Sequence, residues 1–556
     1  MANGSRRVVI VGASAAGLRC ASRLARLCPG WTVTVVEQRE VFSYAACGLP
    51  YVLSGDVDDA DELRRTSDGA LRDAAFFAAV KRVNVLAGRR AVAADAAAHT
   101  LTLAGPGAEK ERLGWDELVL ATGASPRRLP AQPQHPRVRS FHVLDDLEPL
   151  RAGLRRGEIA RVVIVGAGLV GCELAEAFRA LWGAEVTLLE AAGGPLPSVA
   201  DTEIGAVIAA ALRRGGVDLR TGVAVEAIAA FDDRVEVAIG GERRTADLVI
   251  VAVGVSPEVA LARSAGAAIG PTGAIAVDDR LATSVPHVWA AGDCIEVRRL
   301  PDGTPVHLPL GSLANRQGRV LADVLAGRDE RFPGAAGAVA AKVFDLNVAS
   351  TGLTRARAAA AGIPARSVWI TAHDRAHYWP EAAEIAINLV YEPRTRRVLG
   401  VQAVGAGEVA KRVDVATGFI ARGATVAELA GLEHAYAPPF APAIDPLATA
   451  AFAAENQEDG IEARPPDESF AGARLLDVRH AGERARHPLP ATATVIALEE
   501  LRAALPLPGR APWLAVCERG ARSAEAARLV RASGGTASYL GGGMRLRAML
   551  GLADER

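Results

Sequence analysis

The sequence predicts an α/β protein: two parallel, doubly wound sheets in the first 333 residues, an α+β segment, and a small C-terminal α/β domain. Three observations carry this. A strand, a Gly-rich turn, a helix and a second strand ending in glutamate occur at residues 7–37 and again at 161–190. Apolar runs at 118–123 and 247–254 each end in glycine, as buried return strands do. A separate strand–cysteine–helix pattern at 513–532 follows a polar stretch at 457–468 that contains Pro465-Pro466 and reads as a linker. A chain of 556 residues is too long for one core, so several domains are expected.

Composition narrows the function. Half of the residues are hydrophobic, 23% are charged and the net charge is −1, which gives no bulk case for a nucleic-acid or anionic-membrane partner. None of the six cysteines forms a CxxC pair, so a structural metal site is not expected, and a reducing cytoplasm fits this usage. The start, Arg6-Arg7 followed by an apolar run, is broken by Gly12, Ser14 and Gly17 and leads into an amphipathic helix, not a cleavage site. No apolar run reaches the roughly 20 residues that cross a bilayer.

Arg7–Val11 is a strand buried on both faces, and Gly12-Ala13-Ser14-Ala15-Ala16-Gly17 turns into a helix. Gly12 permits the tight turn, Gly17 lets helix and strand pack closely, and the helix N-terminus faces a pyrophosphate. Thr32–Val36 ends at Glu37, the distance at which a carboxylate meets a ribose. Ser14 replaces the middle glycine, so a plain Gly-rich turn is the other reading of this stretch alone. Thr122-Gly123 and Gly292-Asp293 each end a further buried strand. A strand followed by Gly-Asp places a carboxylate on a ribityl hydroxyl, so these pieces together read as an FAD-binding sheet split by an insertion.

The insertion carries a full GxGxxG, Gly166-Ala167-Gly168-Leu169-Val170-Gly171, between a strand and a helix, with Glu190 closing the next strand. Glu190 would repel a 2′-phosphate, and Ala191 and Ala192 supply no cation, so NADH is expected over NADPH. The run ending at Gly254 echoes Leu118–Gly123, which suggests an internal duplication. Cys20, Cys28, Cys172 and Cys294 read as packing residues.

Cys47 lies in Ser43-Tyr44-Ala45-Ala46-Cys47-Gly48-Leu49-Pro50-Tyr51, at the expected start of a short helix whose N-terminus would favour thiolate. A buried structural cysteine is the alternative. With Gly12–Gly17, Gly166–Gly171, Ala314-Asn315-Arg316-Gln317-Gly318-Arg319, Val343-Phe344-Asp345, Ala349-Ser350-Thr351-Gly352 and Tyr436-Ala437-Pro438-Pro439-Phe440, this segment resembles the single-cysteine pyridine-nucleotide disulfide oxidoreductases. Within that family it looks most like the coenzyme A-disulfide and persulfide reductases fused to a rhodanese domain.

The resemblance implies that NADH reduces FAD, which then reduces a mixed disulfide between Cys47 and coenzyme A. It implies coenzyme A binding near Arg19, Arg23, Arg26, Ser43, Lys81 and Asn315. The three arginines also fall at helical i, i+4, i+7 spacing, which suits phosphates or an ordinary solvated basic face. It further implies a homodimer whose shared sites use Tyr378 and Tyr436, residues that read on their own as packing. His434 does not match the family's catalytic histidine pattern. Ala46 and Ile444 depart from the family, which often has Asn and Lys there. Relatives that act as NADH oxidases or peroxidases, cycling the lone cysteine through sulfenic acid, give the alternative function.

The resemblance divides the chain into FAD-binding residues 1–150 and 255–333, NAD-binding 151–254, a dimerisation domain at 334–456 with a mixed sheet, a linker at 457–468 and a rhodanese-like domain at 469–556. In the last, Cys517-Glu518-Arg519-Gly520-Ala521-Arg522-Ser523 opens a helix. Its backbone N–H groups suit an anion nest, and Arg519 and Arg522 add positive charge around a thiolate able to carry sulfane sulfur. Arg486-His487-Pro488-Leu489-Pro490 replaces the Gly-His-hydrophobic-Pro-Gly segment common in rhodaneses, so a degenerate domain kept for structure is the alternative.

Overall fold

The computed structural model describes residues 5–105 and 110–552. It divides into two compact units. One holds the chain through Gly166, Ala177–Val186 and Val225–Ala335; the other holds Ala167–Glu176, Thr187–Ala224 and the chain from Ala336.

The first unit is built on a parallel sheet in the order Val288–Ala290, Glu117–Leu120, Arg7–Val11, Thr32–Val36, Asn84–Leu86. Arg7 pairs with Thr32 and Val8 with Glu117. Val8, Ile10, Val119 and Val35 are fully buried, as the uninterrupted apolar runs require of strands covered on both sides. Helix Ala15–Leu27 follows the first strand. A Cβ on Gly12, which has φ +110°, would stand 2.1 Å from the Ala121 carbonyl oxygen. Helix Gly311–Leu325 packs on helix Ala15–Leu27 so closely that a Cβ on Gly318 would lie 2.3 Å from the Ala16 carbonyl oxygen.

Duplication is visible inside this unit. Arg161–Val165 pairs in parallel with Leu248–Val251, as Arg7–Val11 does with Glu117–Leu120. A three-stranded antiparallel meander precedes each return strand, at Arg90–Gly114 and at Val225–Ala246. The segments leaving the two return strands, Ala124–Pro126 and Val255–Pro257, pair with each other in antiparallel register.

In the second unit, Thr187–Glu190 pairs in parallel with Asp218–Thr221. The sheet of the α+β segment runs Val339–Val343, Leu346–Gly352, Val398–Gly405, Glu384–Tyr391, Arg366–His373. Its pairs are antiparallel throughout, not mixed as the sequence suggests. Short turns such as Glu392–Arg397 join neighbouring strands directly, which parallel pairing does not allow. The C-terminal domain is a parallel sheet in the order Ala463–Arg464, Ala537–Leu540, Trp513–Val516, Arg474–Asp477, Thr494–Val495.

The stretch 457–468 is not a free linker. Gln457 and Glu458 finish helix Pro446–Glu458, and Ala463–Arg464 is the sheet edge, in register with Tyr539 and Leu540. Arg547 donates to the carbonyls of Pro466 and Glu468. Ala450, Ala454 and Ile461 share one core with Leu476, Trp513 and Tyr539, so apolar burial ties this domain to the antiparallel sheet's helices.

Among the described residues, no helix is long and apolar enough to cross a membrane. Gly318→Ala is expected to force the two helices apart and lower the thermal midpoint by the equivalent of about 1–3 kcal/mol. Gly168→Ala, where a Cβ would meet nothing within 4 Å, is expected to leave the midpoint unchanged; differential scanning fluorimetry of both variants checks this.

Candidate active site

Each Gly-rich turn is held by the glutamate at the end of the next strand. The Glu37 carboxylate accepts from the N–H of Ala13 at 2.8 Å and of Arg39 at 3.0 Å. The Glu190 carboxylate accepts from Ala167 and Ala192, both at 2.8 Å. Donors and acceptor occupy equivalent positions in the two repeats. A charged acceptor on two backbone donors fixes the loop and places negative charge where a ribose diol would sit.

The remaining residues of the cradles fit nucleotides. A Cβ on Gly17 would lie 1.9 Å from the Gly12 carbonyl oxygen, and one on Gly166 would lie 2.5 Å from that of Ala252. Gly168, Gly123 and Gly254 face open space. Gly171 is buried in helix Leu169–Ala180. Ser14 precedes the first helix at φ −111°, a conformation open to any L-residue, which explains why the missing glycine does not disturb the turn. The Thr122 hydroxyl donates to the Glu258 carbonyl at 2.6 Å. The Gly292 N–H donates to the buried Gln317 side chain at 2.7 Å. Burial pushes the neighbouring Asp293 carboxyl above its usual range, which His307 and His142 partly offset. A hydroxyl donor at this carboxyl would relieve that burial, which suits a bound ribityl chain.

Cys47 is exposed on a 3₁₀ turn, Ala46–Gly48, that leads into helix Leu49–Leu53. The helix that faces its sulfur comes from elsewhere. A methyl group on Gly311 would stand 3.9 Å from Cys47 Sγ, so the thiol lies at the first turn of the 15-residue helix Gly311–Leu325. Leu310 at its N-cap gives no side-chain cap. The unpaired amides and positive dipole end of that turn favour thiolate.

The Cys47 segment is fastened on several sides. Ser43, buried at φ +57°, donates its N–H to Ala13 of the first Gly-rich turn at 3.2 Å. The Leu144 N–H donates to the Tyr44 hydroxyl at 3.2 Å. The Trp182 indole donates to the Leu53 carbonyl at 2.8 Å. Neither Gly311 nor Trp182 is a site residue by sequence reasoning, since no motif marks them.

The arginine row divides. Arg23 makes a two-pronged pair with the buried carboxylate of Asp323, at 2.6 and 2.7 Å, and so fastens helix Ala15–Leu27 to helix Gly311–Leu325. That pair engages the Arg23 guanidinium within the fold, and Asp323 also meets Arg328 at 3.2 Å. Arg19 and Arg26 remain exposed. Lys81 sits over the Phe76 ring, and the Asn315 amide donates to the Gly311 carbonyl at 2.9 Å.

In the second unit, Tyr378 and Tyr436 are exposed, and a hydrogen bond between their hydroxyls raises the Tyr378 pKa. His434 Nε2 lies 3.0 Å from the Pro442 carbonyl oxygen. Cys517 is buried at the end of its strand, where Sγ accepts from the Gly520 N–H at 3.1 Å and from the Ser523 hydroxyl at 3.3 Å. The flanking arginines both meet carboxylates: Arg519 pairs with Glu384 at 2.7 Å, and Arg522 with Glu483.

Two nucleotide cradles on one chain, with a cysteine against a helix N-terminus in the unit that holds the first, define a two-cofactor redox enzyme architecture. Residues 6–318 match the model of the pyridine nucleotide-disulphide oxidoreductases, and residues 339–448 match that family's dimerisation domain. The chain belongs to this family. Membership implies FAD and a nicotinamide nucleotide.

The NAD(P)H sulfur oxidoreductase (CoA-dependent) of Pyrococcus furiosus is 36% identical over 445 residues, 80% of this chain and 97% of the relative. The NAD-dependent persulfide reductase structure from A. fulgidus is 37% identical, with a TM-score of 0.93 over 97% of this chain and 99% of that one. The reduced Bacillus anthracis CoADR-RHD structure is 31% identical, with a TM-score of 0.91 over 98% of each chain. These two structures span the C-terminal domain as well.

Cys47 is expected to be the first cysteine alkylated by iodoacetamide in the native enzyme at pH 8. Burial pushes Cys20 up to about 12, and also raises Cys172 and Cys294. A raised thiol pKa keeps the unreactive protonated form, leaving Cys20 about one part in ten thousand thiolate at that pH. Peptide mass spectrometry over a time course checks the order.

Proposed function

We propose that the protein is an NADH-dependent flavoenzyme that reduces coenzyme A persulfide, polysulfide or coenzyme A disulfide through Cys47, with Cys517 carrying sulfane sulfur. The observation that carries this reading is the Cys47 sulfur against the first turn of helix Gly311–Leu325, a setting for a nucleophilic thiolate. The names of the similar proteins and the match across the C-terminal domain support it.

In this reading the Gly12–Gly17 turn, Glu37, Thr122, Gly123, Gly292 and Asp293 hold FAD, and the Gly166–Gly171 turn, Glu190 and Gly254 hold NADH. Bound FAD supplies two-electron transfer from nicotinamide to sulfur. Cys47 thiolate attacks the inner sulfur of R–S–SH. A Cys47–S–S–R bond forms, the S–S bond of the substrate breaks and HS⁻ leaves. Two electrons then split the mixed disulfide into Cys47 thiolate and RS⁻. The sum is R–S–SH + NADH + H⁺ → R–SH + H₂S + NAD⁺. The helix N-terminus stabilises the thiolate before attack and after reduction.

Coenzyme A is held near Arg19, Arg23, Arg26, Ser43, Lys81 and Asn315. Tyr378 and Tyr436 serve the partner's site in a homodimer, orienting or protonating the leaving thiolate. Sulfane sulfur as substrate gives the Cys517 domain a role that a plain disulfide does not. The working division is FAD-binding at 1–150 and 255–333, NAD-binding at 151–254, dimerisation at 334–456 and sulfur transfer from 469, in a cytoplasmic enzyme without a nucleic-acid partner.

The test is anaerobic stopped-flow reoxidation of NADH-reduced enzyme. Coenzyme A persulfide is expected to reoxidise wild type fast and Cys47→Ser not at all, and Cys517→Ser is expected to slow the polysulfide reaction. Fast reoxidation by peroxide alone would assign a Cys47 sulfenic-acid peroxidase instead. Glu190, followed by Ala191 and Ala192, is expected to favour NADH over NADPH by about tenfold or more in kcat/KM, a difference of ~1.4 kcal/mol; steady-state assays with both nucleotides check this.

A further inference from the structure

We propose that the Cys517 loop takes sulfur from the persulfide of a thiol and not from thiosulfate, and that Glu384 of the antiparallel sheet sets this preference by neutralising Arg519. The inference rests on Cys517 being a sulfur carrier.

The two arginines of the loop, Arg519 and Arg522, each reach a carboxylate. Arg519 Nη2 lies 2.7 Å from Glu384 Oε1, and Arg522 is bonded to Glu483. A third cation, Arg545, lies 3.5 Å from the same Glu384 oxygen and 2.9 Å from Oε1 of Glu518, which is 1% exposed. Three guanidiniums meet three carboxylates, with the exposed Arg486 and the partly buried His487 reaching Glu518 only at 3.7 and 3.9 Å. His373, 3.4 Å from Arg519, adds no charge at neutral pH, because burial and Arg519 lower its pKa.

The pairing is built into the fold. His373 and Glu384 are register partners on neighbouring strands. Thr371 on the His373 strand donates to the Gly542 carbonyl at 2.8 Å, and Trp369 packs against Gly541. A Cβ on Gly543 would fall 2.6 Å from the Arg519 nitrogen, and the Met544 N–H donates to the Cys517 carbonyl at 3.0 Å. The strand that carries His373 therefore supports the glycine turn on which the Cys517 loop rests, and Glu384 stands beside it.

Charge decides between the donors. With thiosulfate, Cys517–S⁻ + S–SO₃²⁻ → Cys517–S–S⁻ + SO₃²⁻: the new S–S bond forms on the outer sulfur, the old one breaks, and a sulfite dianion leaves. With a persulfide, Cys517–S⁻ + R–S–SH → Cys517–S–SH + R–S⁻, and a single thiolate charge leaves. The dianion needs unpaired cations close by. The thiolate needs little beyond the neutral donors that already reach Cys517, the Gly520 N–H and the Ser523 hydroxyl.

The test is single-turnover loading of Cys517 in the full-length holoenzyme without NADH, read as the mass of the persulfidated Cys517 peptide. The probes are thiosulfate and pantetheine persulfide. Wild type is expected to load at least about tenfold faster from the persulfide. Glu384→Gln and, independently, Glu483→Gln are expected to shift the thiosulfate-to-persulfide rate ratio about tenfold toward thiosulfate, while Glu384→Asp keeps the wild-type ratio. Equal loading by wild type, or an unchanged ratio in Glu384→Gln, overturns the inference alone. Failure of both probes to place sulfur on Cys517 overturns the carrier reading, and the inference with it.

Discussion

Backbone contact between helices Ala15–Leu27 and Gly311–Leu325 organises the first unit of this protein. At Gly318 there is no room for a side chain against the Ala16 carbonyl, so the two helices have one available spacing. One turn away, Asp323 binds Arg23 and fixes their rotation. Gln317, beside the contact, accepts from the Gly292 amide just beyond strand Val288–Ala290. At the far end the first turn of the second helix meets Cys47. One helix thus relates the first Gly-rich turn to Cys47, and a change in its spacing alters both together.

The two Gly-rich turns repeat one local arrangement. Each turn is tied by a carboxylate to the N–H of its second residue, and each glutamate also takes the amide two residues beyond itself. The meanders and the paired exit segments repeat as well. What differs between the repeats is small: a serine stands in one turn where glycine stands in the other, and its backbone conformation accommodates the change.

Much of this was legible in the sequence because it is local. Strands buried on both faces show as unbroken apolar runs, and the turn glycines and strand-end glutamates keep short, fixed spacings. The helix predicted after Cys517 is found at Ala521–Ala532. What escaped is non-local. Helical periodicity put Arg23 on a face with Arg19 and Arg26, but its partner is 300 residues away. Glu384 is 135 residues from Arg519, and a glutamate at the start of a strand carries no motif. The stretch 457–468 has the polarity and prolines of a linker, yet backbone pairing depends on where Tyr539 and Leu540 come to rest and not on local composition.

That last pairing bears on how the C-terminal domain behaves apart from the rest. Ala463–Arg464 covers the outer side of strand Ala537–Leu540, and the same short segment follows directly from helix Pro446–Glu458. A fragment beginning at residue 469 would present Tyr539 and Leu540 as an uncovered β-edge and strip Trp513 and Leu476 of part of their apolar surroundings. Uncovered edges of this kind recruit other chains. The cover of this sheet edge is thus supplied by residues that lie outside the domain's apparent boundary.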